Sequence, residues 1–181
     1  MCNNFNKKFL DEAAKARPSD LNDAHDIHQH FMDEAIKSAI VGVNNNEGGP
    51  FGCVVVKDGK IIGRGNNKVT SSNDPTAHAE VEAIRNACKY LNSFQLTHCV
   101  IYTSCEPCPM CLGAIYWARP SKVYYGCDKK DAANIGFDDN FIYRELELPN
   151  VEKLISFEQL GKDEAMIAFN TWKDKEDKVK Y

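Results

Sequence analysis

The chain has 181 residues, 43% of them hydrophobic and 27% charged, which is ordinary usage for one globular domain and excludes a disordered or collagen-like chain. The net charge is −4 with no basic stripe, which argues against a polynucleotide partner. No apolar run approaches the roughly 20 residues of a membrane span.

Residues 1–20 read as a polar N-terminal extension ending at Pro18-Ser19-Asp20. They lack the apolar stretch of a secretory signal, so a soluble cytoplasmic protein is expected. Residues 21–181 read as a single domain. From Leu21 to Val43, Met32, Ile36, Ala39, Ile40 and Val43 fall at helical spacing. Asn44 to Pro50 is a breaker run. Cys53–Val56 and Lys60–Gly63 flank Lys57-Asp58-Gly59 and predict a hairpin. A loop follows at Ser71–Pro75. Ile84, Ala87, Cys88 and Leu91 then mark a helix from about Ala77 to Leu91.

Cys99–Tyr102 reads as a buried strand, and Pro109 opens a short helix to Trp117. Val123–Gly126 is the next strand. A short helix is expected near Asp131–Ile135, and a last one around Ala165, Ala168, Phe169 and Trp172. This order predicts an α/β fold with a mixed sheet between helices.

Two motifs carry chemistry: His78-Ala79-Glu80 and Pro107-Cys108-Pro109-Met110-Cys111. One imidazole and two thiolates make three zinc ligands and leave the fourth position open, as in catalytic rather than structural sites. Cys108 and Cys111 lie three apart at a helix start, where the helix dipole favours thiolates. Glu80 is the natural proton carrier. Residues two apart do not share a helix face. His78 and Glu80 therefore reach one metal only if the first helical turn points end-on at it.

Other readings of these cysteines are weaker. An iron–sulfur run built on Cys105, Cys108 and Cys111 needs a further cysteine where Ile115 stands. A closed zinc site would recruit Cys105, and a redox C-x-x-C finds no further support. His25, His28 and His30 read as solvated. Cys2, Cys53, Cys88, Cys99 and Cys127 read as core or exposed thiols.

H-x-E with P-C-x-x-C is the signature of zinc deaminases acting on nucleobases. With Gly48–Gly52, Asn73–Glu80, Thr103–Pro120, Gly136–Asp139 and a final tyrosine, the sequence resembles the bacterial guanine deaminases of the cytidine deaminase superfamily. The resemblance covers about residues 25–145 well and the tail more loosely. It implies a three-layer α-β-α fold around a mixed five-stranded sheet. One zinc ion per subunit would be held by His78, Cys108 and Cys111, with Glu80 as proton shuttle.

The resemblance further implies that Asn67 bonds the purine, Phe51 and Trp117 line its pocket, and Asp139 binds its polar edge. It also implies a homodimer in which the segment at about 146–181 is exchanged, so that Tyr181 closes the partner's site. The reaction implied is hydrolysis of guanine to xanthine and ammonia, with zinc-activated hydroxide adding to C2. The alternatives are a guanosine or other aminated-heterocycle deaminase, a transfer-RNA adenosine deaminase, and a zinc-binding module without catalysis.

Overall fold

The computed structural model describes residues 24–180. The N-terminal extension and Tyr181 lie outside the described residues. Those described fall into two compact units that divide between Asp139 and Asn140.

The first unit is built on a four-stranded sheet. Helix α1 (Ala24–Asn44) precedes a hairpin of β1 (Gly52–Lys57) and β2 (Lys60–Asn66). Asp58 and Gly59, both at positive φ, make its two-residue turn. A single turn, α2 (Val69–Ser72), leads to α3 (Ala79–Leu91). Strand β3 (Val100–Cys105), helix α4 (Pro109–Ala118), strand β4 (Lys122–Cys127) and helix α5 (Lys129–Asn134) follow. The strand order is β2-β1-β3-β4. β1 runs antiparallel to both neighbours, and β3 is parallel to β4.

The sheet is therefore mixed, as expected, but it has four strands among the described residues rather than five. After Cys127 the chain turns helical, where a short helix near Asp131–Ile135 was expected. Asp128 and Asp131 form a reciprocal capping box that starts α5 at once. Gly136 then turns the backbone at positive φ, and no β-branched run follows before the next helix.

Both faces of the sheet are covered. Alternate residues of β1 part to opposite sides. Val54 and Val56 join Tyr102, Phe31 and Ala35 under α1. Cys53 and Val55 join Ile101, Ala79, Ala83, Ala87, Ile115 and Ala118 under α3 and α4.

Two details depart from the sequence reading. Ala39 of α1 is buried as expected, but Phe31 and Ala35 meet the sheet in place of Met32 and Ile36, one position round. Small residues win there because the helix approaches closely: a Cβ on Gly52 would lie 2.2 Å from the Ala35 carbonyl oxygen. Ile36, Ile40 and Val43 line a neighbouring apolar cleft of about 440 Å³ with Gly126 and Cys127. His28, expected to be solvated, is half-buried. Its Nδ1 lies 2.6 Å from the Tyr102 hydroxyl and its Nε2 3.1 Å from that of Tyr124. The two phenols, stacked at 5.1 Å, supply polar partners that make its burial tolerable.

On the opposite face, the Gly63 and Gly65 positions let α3 rest on β2 backbone to backbone. A Cβ on Gly65 would stand 2.1 Å from the Ala79 carbonyl oxygen and 2.6 Å from the Ala83 nitrogen. Gly65→Ala is expected to destabilise the protein by about 1–3 kcal/mol through overpacking. Thermal unfolding measures this, and an unchanged midpoint would contradict the close packing.

The second unit holds α6 (Asn140–Glu147), a 3₁₀ turn (Asn150–Glu152) and α7 (Lys162–Asp174). Lys153 Nζ ties it internally, donating to the carbonyls of Glu145 (2.6 Å) and Leu148 (2.8 Å). No described helix is long and apolar enough to cross a membrane.

Candidate active site

Two helix N-termini supply the candidate ligands. His78 is the N-cap of α3 and Cys108 the N-cap of α4, both with extended backbone. Cys111 lies in the first turn of α4, buried on the same helix face as Ile115 and Ala118. Pro109 suits the first helical position because its missing N–H would be unsatisfied there anyway. The approach to His78 is built by Asp74. Its Oδ1 accepts from the Thr76 N–H (2.8 Å) and hydroxyl (2.7 Å), and its carbonyl accepts from the Ala77 N–H. Those Thr76 bonds hold the Asp74 carboxyl below its usual range. His78 precedes the helix and Glu80 is inside it. Both side chains approach Cys111 Sγ, His78 Nδ1 at 3.5 Å and Glu80 Oε2 at 3.4 Å.

His78 Nδ1 lies 3.5 Å from Cys108 Sγ and 3.5 Å from Cys111 Sγ. A tetrahedral zinc with bonds of about 2.3 Å to sulfur and 2.0–2.1 Å to nitrogen puts its nitrogen and sulfur ligands about 3.5 Å apart. All three donor atoms lie within 4.8 Å of one another. The donor set and its spacing fit one zinc ion. Cys105 does not join them: its thiol points to the Asp128 carbonyl at 3.6 Å, and burial pushes it up to about 12. A closed site with Cys105 as fourth ligand beside His78, Cys108 and Cys111 is thereby disfavoured.

The two candidate thiols are not equivalent. A hydrogen bond from Cys111 brings Cys108 down to about 4, while donating that bond pushes the Cys111 thiol up. His78 is raised by its bond to Cys108. Metal binding needs both thiols ionised and the imidazole neutral. Zinc uptake at pH 7 is therefore expected to release protons, from the Cys111 thiol above all. Calorimetric titration in buffers of different ionisation enthalpy counts those protons, and no release would contradict this assignment.

Glu80 is 6% exposed, and burial raises its carboxyl above the ordinary carboxylate range. Its Oε2 is 3.4 Å from Cys111 Sγ, and its Oε1 accepts from the Thr103 hydroxyl at 3.2 Å. Asp139 belongs to the same electrostatic group. Burial raises it first and the Cys108 charge next, and it acts in turn on His78.

The remaining expected residues are placed unequally. Asn67 is buried, and its Oδ1 accepts from the backbone N–H groups of Gly49 (3.1 Å) and Val69 (3.2 Å). Phe51 stacks edge-to-face with Phe137 at 4.9 Å. Trp117 is 65% exposed on α4, away from the buried Cys111 side. Two contributors were not singled out in the sequence. Phe137 stands within a quoted motif but lacked an assigned partner. Thr103 shares the Ile101 face of β3, so a hydroxyl at alternate spacing in an apolar strand was the available signal.

Residues 25–127 match the cytidine and deoxycytidylate deaminase zinc-binding region. The chain belongs to the cytidine deaminase family. Within that family it is 55% identical over 154 residues to the guanine deaminase of Bacillus subtilis strain 168, covering 85% of this chain and 99% of that one. The crystal structure of the B. subtilis enzyme superposes with a TM-score of 0.83 over 85% of this chain and 98% of its own. Guanine deaminase from Nitrosomonas europaea is 29% identical with a TM-score of 0.58, covering 61% and 64%. A tRNA-specific adenosine deaminase of Buchnera aphidicola is 41% identical over 107 residues, 59% of this chain and 65% of its own. The cofactor of this deaminase family is zinc, and the His78, Cys108 and Cys111 group fits it.

Proposed function

We propose that the protein hydrolyses guanine to xanthine and ammonia. The observation that carries this reading is the placement of Glu80. A buried carboxyl stands 3.4 Å from a ligand sulfur, beside three donors where tetrahedral zinc takes four. The 55% identity to a guanine deaminase over nearly its whole length supports the substrate. The more distant likeness to a transfer-RNA deaminase, over a shorter stretch, supports the shared chemistry only.

His78, Cys108 and Cys111 would hold the zinc, which would supply a polarised water with a pKa near neutrality. Glu80 accepts the proton from that water and delivers it to N3 of the base as the oxygen bonds to C2. Glu80 then takes the remaining proton from the C2 hydroxyl and passes it to the amino group; the C2–N bond breaks as the C2 carbonyl forms, and ammonia leaves. One water is consumed and the carboxylate is restored. A carboxyl raised by burial suits this alternation of acceptor and donor at neutral pH.

Asn67 is read as a donor to the purine. Two backbone N–H groups occupy its carbonyl oxygen, which fixes the amide's orientation and leaves its NH₂ for a ligand acceptor. Phe51, braced by Phe137, is read as an aromatic wall, and Asp139 as the acceptor for guanine's N–H edge.

Trp117 and Tyr181 are read as the groups that complete the pocket in a homodimer whose C-terminal segments are exchanged. Leu154, Leu160 and Phe169, at 83, 95 and 69% exposed, support that reading, since such apolar surface calls for a cover. The free cysteines support a reducing, cytoplasmic setting.

The test offers guanine, guanosine, adenine, cytosine and cytidine separately to the zinc-loaded protein and measures ammonia. Release from guanine, with xanthine formed in equal amount, is the expected result. Release from guanosine would mean that the pocket admits a sugar. Silence with guanine would overturn the reading.

A further inference from the structure

We infer that Thr103 is a positioning residue for Glu80, holding one carboxylate oxygen so that the other faces the metal ligands; this inference rests on the reading of Glu80 as proton carrier. Thr103 lies on β3 and is 1% exposed. Its neighbours on that face are apolar: Ile101 two residues before it, and Cys53 opposite it on β1 in exact register. Among the described residues, the buried polar or charged side chains are Glu34, Asn67, Glu80 and Thr103.

A hydroxyl in such a layer costs free energy unless it is hydrogen-bonded, and valine would fill nearly the same space. Packing therefore does not account for the oxygen, whereas Glu80 does. Thr103 Oγ1 donates to Glu80 Oε1 at 3.2 Å, and Glu80 Oε2 then stands 3.4 Å from Cys111 Sγ. A glutamate side chain has three torsions. Tying one oxygen to a β-strand in the middle of the sheet restricts them and separates the duties of the two oxygens. One is anchored, and the other is free to exchange protons. Without the anchor, the carboxyl can turn away from the reacting water or move onto the metal itself.

The experiment compares the full-length zinc-loaded protein with Thr103→Val and Thr103→Ser. The valine variant is expected to lose about 10- to 100-fold in kcat, the usual cost of a misplaced catalytic group, with KM nearly unchanged. Its zinc content should match the wild type. The serine variant keeps the hydroxyl and should recover most of the rate. Crystal structures of the wild-type and valine proteins should show the Glu80 carboxyl displaced in the variant.

Wild-type kcat in Thr103→Val would overturn the inference, as would a serine variant no better than valine, or an unmoved carboxyl. If the wild-type protein fails to turn over guanine, the substrate reading falls by itself. The position of the Glu80 carboxyl then still decides the role of Thr103.

Discussion

Glu80→Gln is expected to keep its zinc and to lose roughly 10²- to 10⁴-fold in turnover, the range supplied by a positioned general acid–base group. The substitution preserves the size of the side chain and its capacity to accept from the Thr103 hydroxyl, the bond observed at 3.2 Å. It removes only the ability to take up and return a proton. Glu80 is buried, so no solvent carboxylate can replace it at the site. Nor is it one of the three ligand donors, so metal content should hold at one ion per chain. Steady-state kinetics with elemental analysis of the same sample checks both statements. A variant that retains near-wild-type rate would remove Glu80 from the mechanism. A variant that loses zinc would mean that the carboxyl helps to hold the metal.

Cys108→Ala is expected to lose the metal and the activity together. Cys108 carries the anionic charge of the cluster, its thiol brought down to about 4, and it sits at the N-cap of α4 where the helix dipole adds to that stabilisation. Removing it leaves one imidazole and one thiol to hold the ion. Zinc affinity should fall by more than about 100-fold, beyond what removal of an outer-shell partner costs. Metal per chain after dialysis against a weak chelator, followed by the rate of ammonia release, measures this. Cys127→Ser is the control. That thiol is exposed, stands outside the ligand group, and should leave zinc in place. Retention of a full zinc complement by Cys108→Ala would contradict the ligand assignment.

The parts of the site legible in the sequence are those whose residue types are rare and whose spacing is dictated by a helix start. His78, Glu80, Cys108 and Cys111 belong to that class. The convergence of His78 and Glu80 still needed the N-cap geometry that only the fold supplies. Thr103 opened the Thr103–Pro120 motif but had no assigned role, because threonine is a common strand residue and its partner lies 23 residues away.

His28 illustrates the same limit. Its polar neighbourhood in sequence suggested solvent, yet its partners Tyr102 and Tyr124 stand 74 and 96 residues away. In the fold, the β1–β2 hairpin and the helices α3 and α4 follow from local turn, cap and periodicity signals. The stripe of α1 that is buried does not, because it depends on how closely Gly52 lets the helix approach. The number of strands was inherited from the resemblance. The short helix expected near Asp131–Ile135 is present at Lys129–Asn134, started by the capping box at Asp128.

The most direct test of the account adds zinc stepwise to metal-free protein and follows xanthine formation from guanine at each step. The rate should rise in proportion to added zinc and level off at one ion per chain. A rate independent of zinc, or one that levels off only well beyond that ratio, would contradict hydrolysis at the His78–Cys108–Cys111 site.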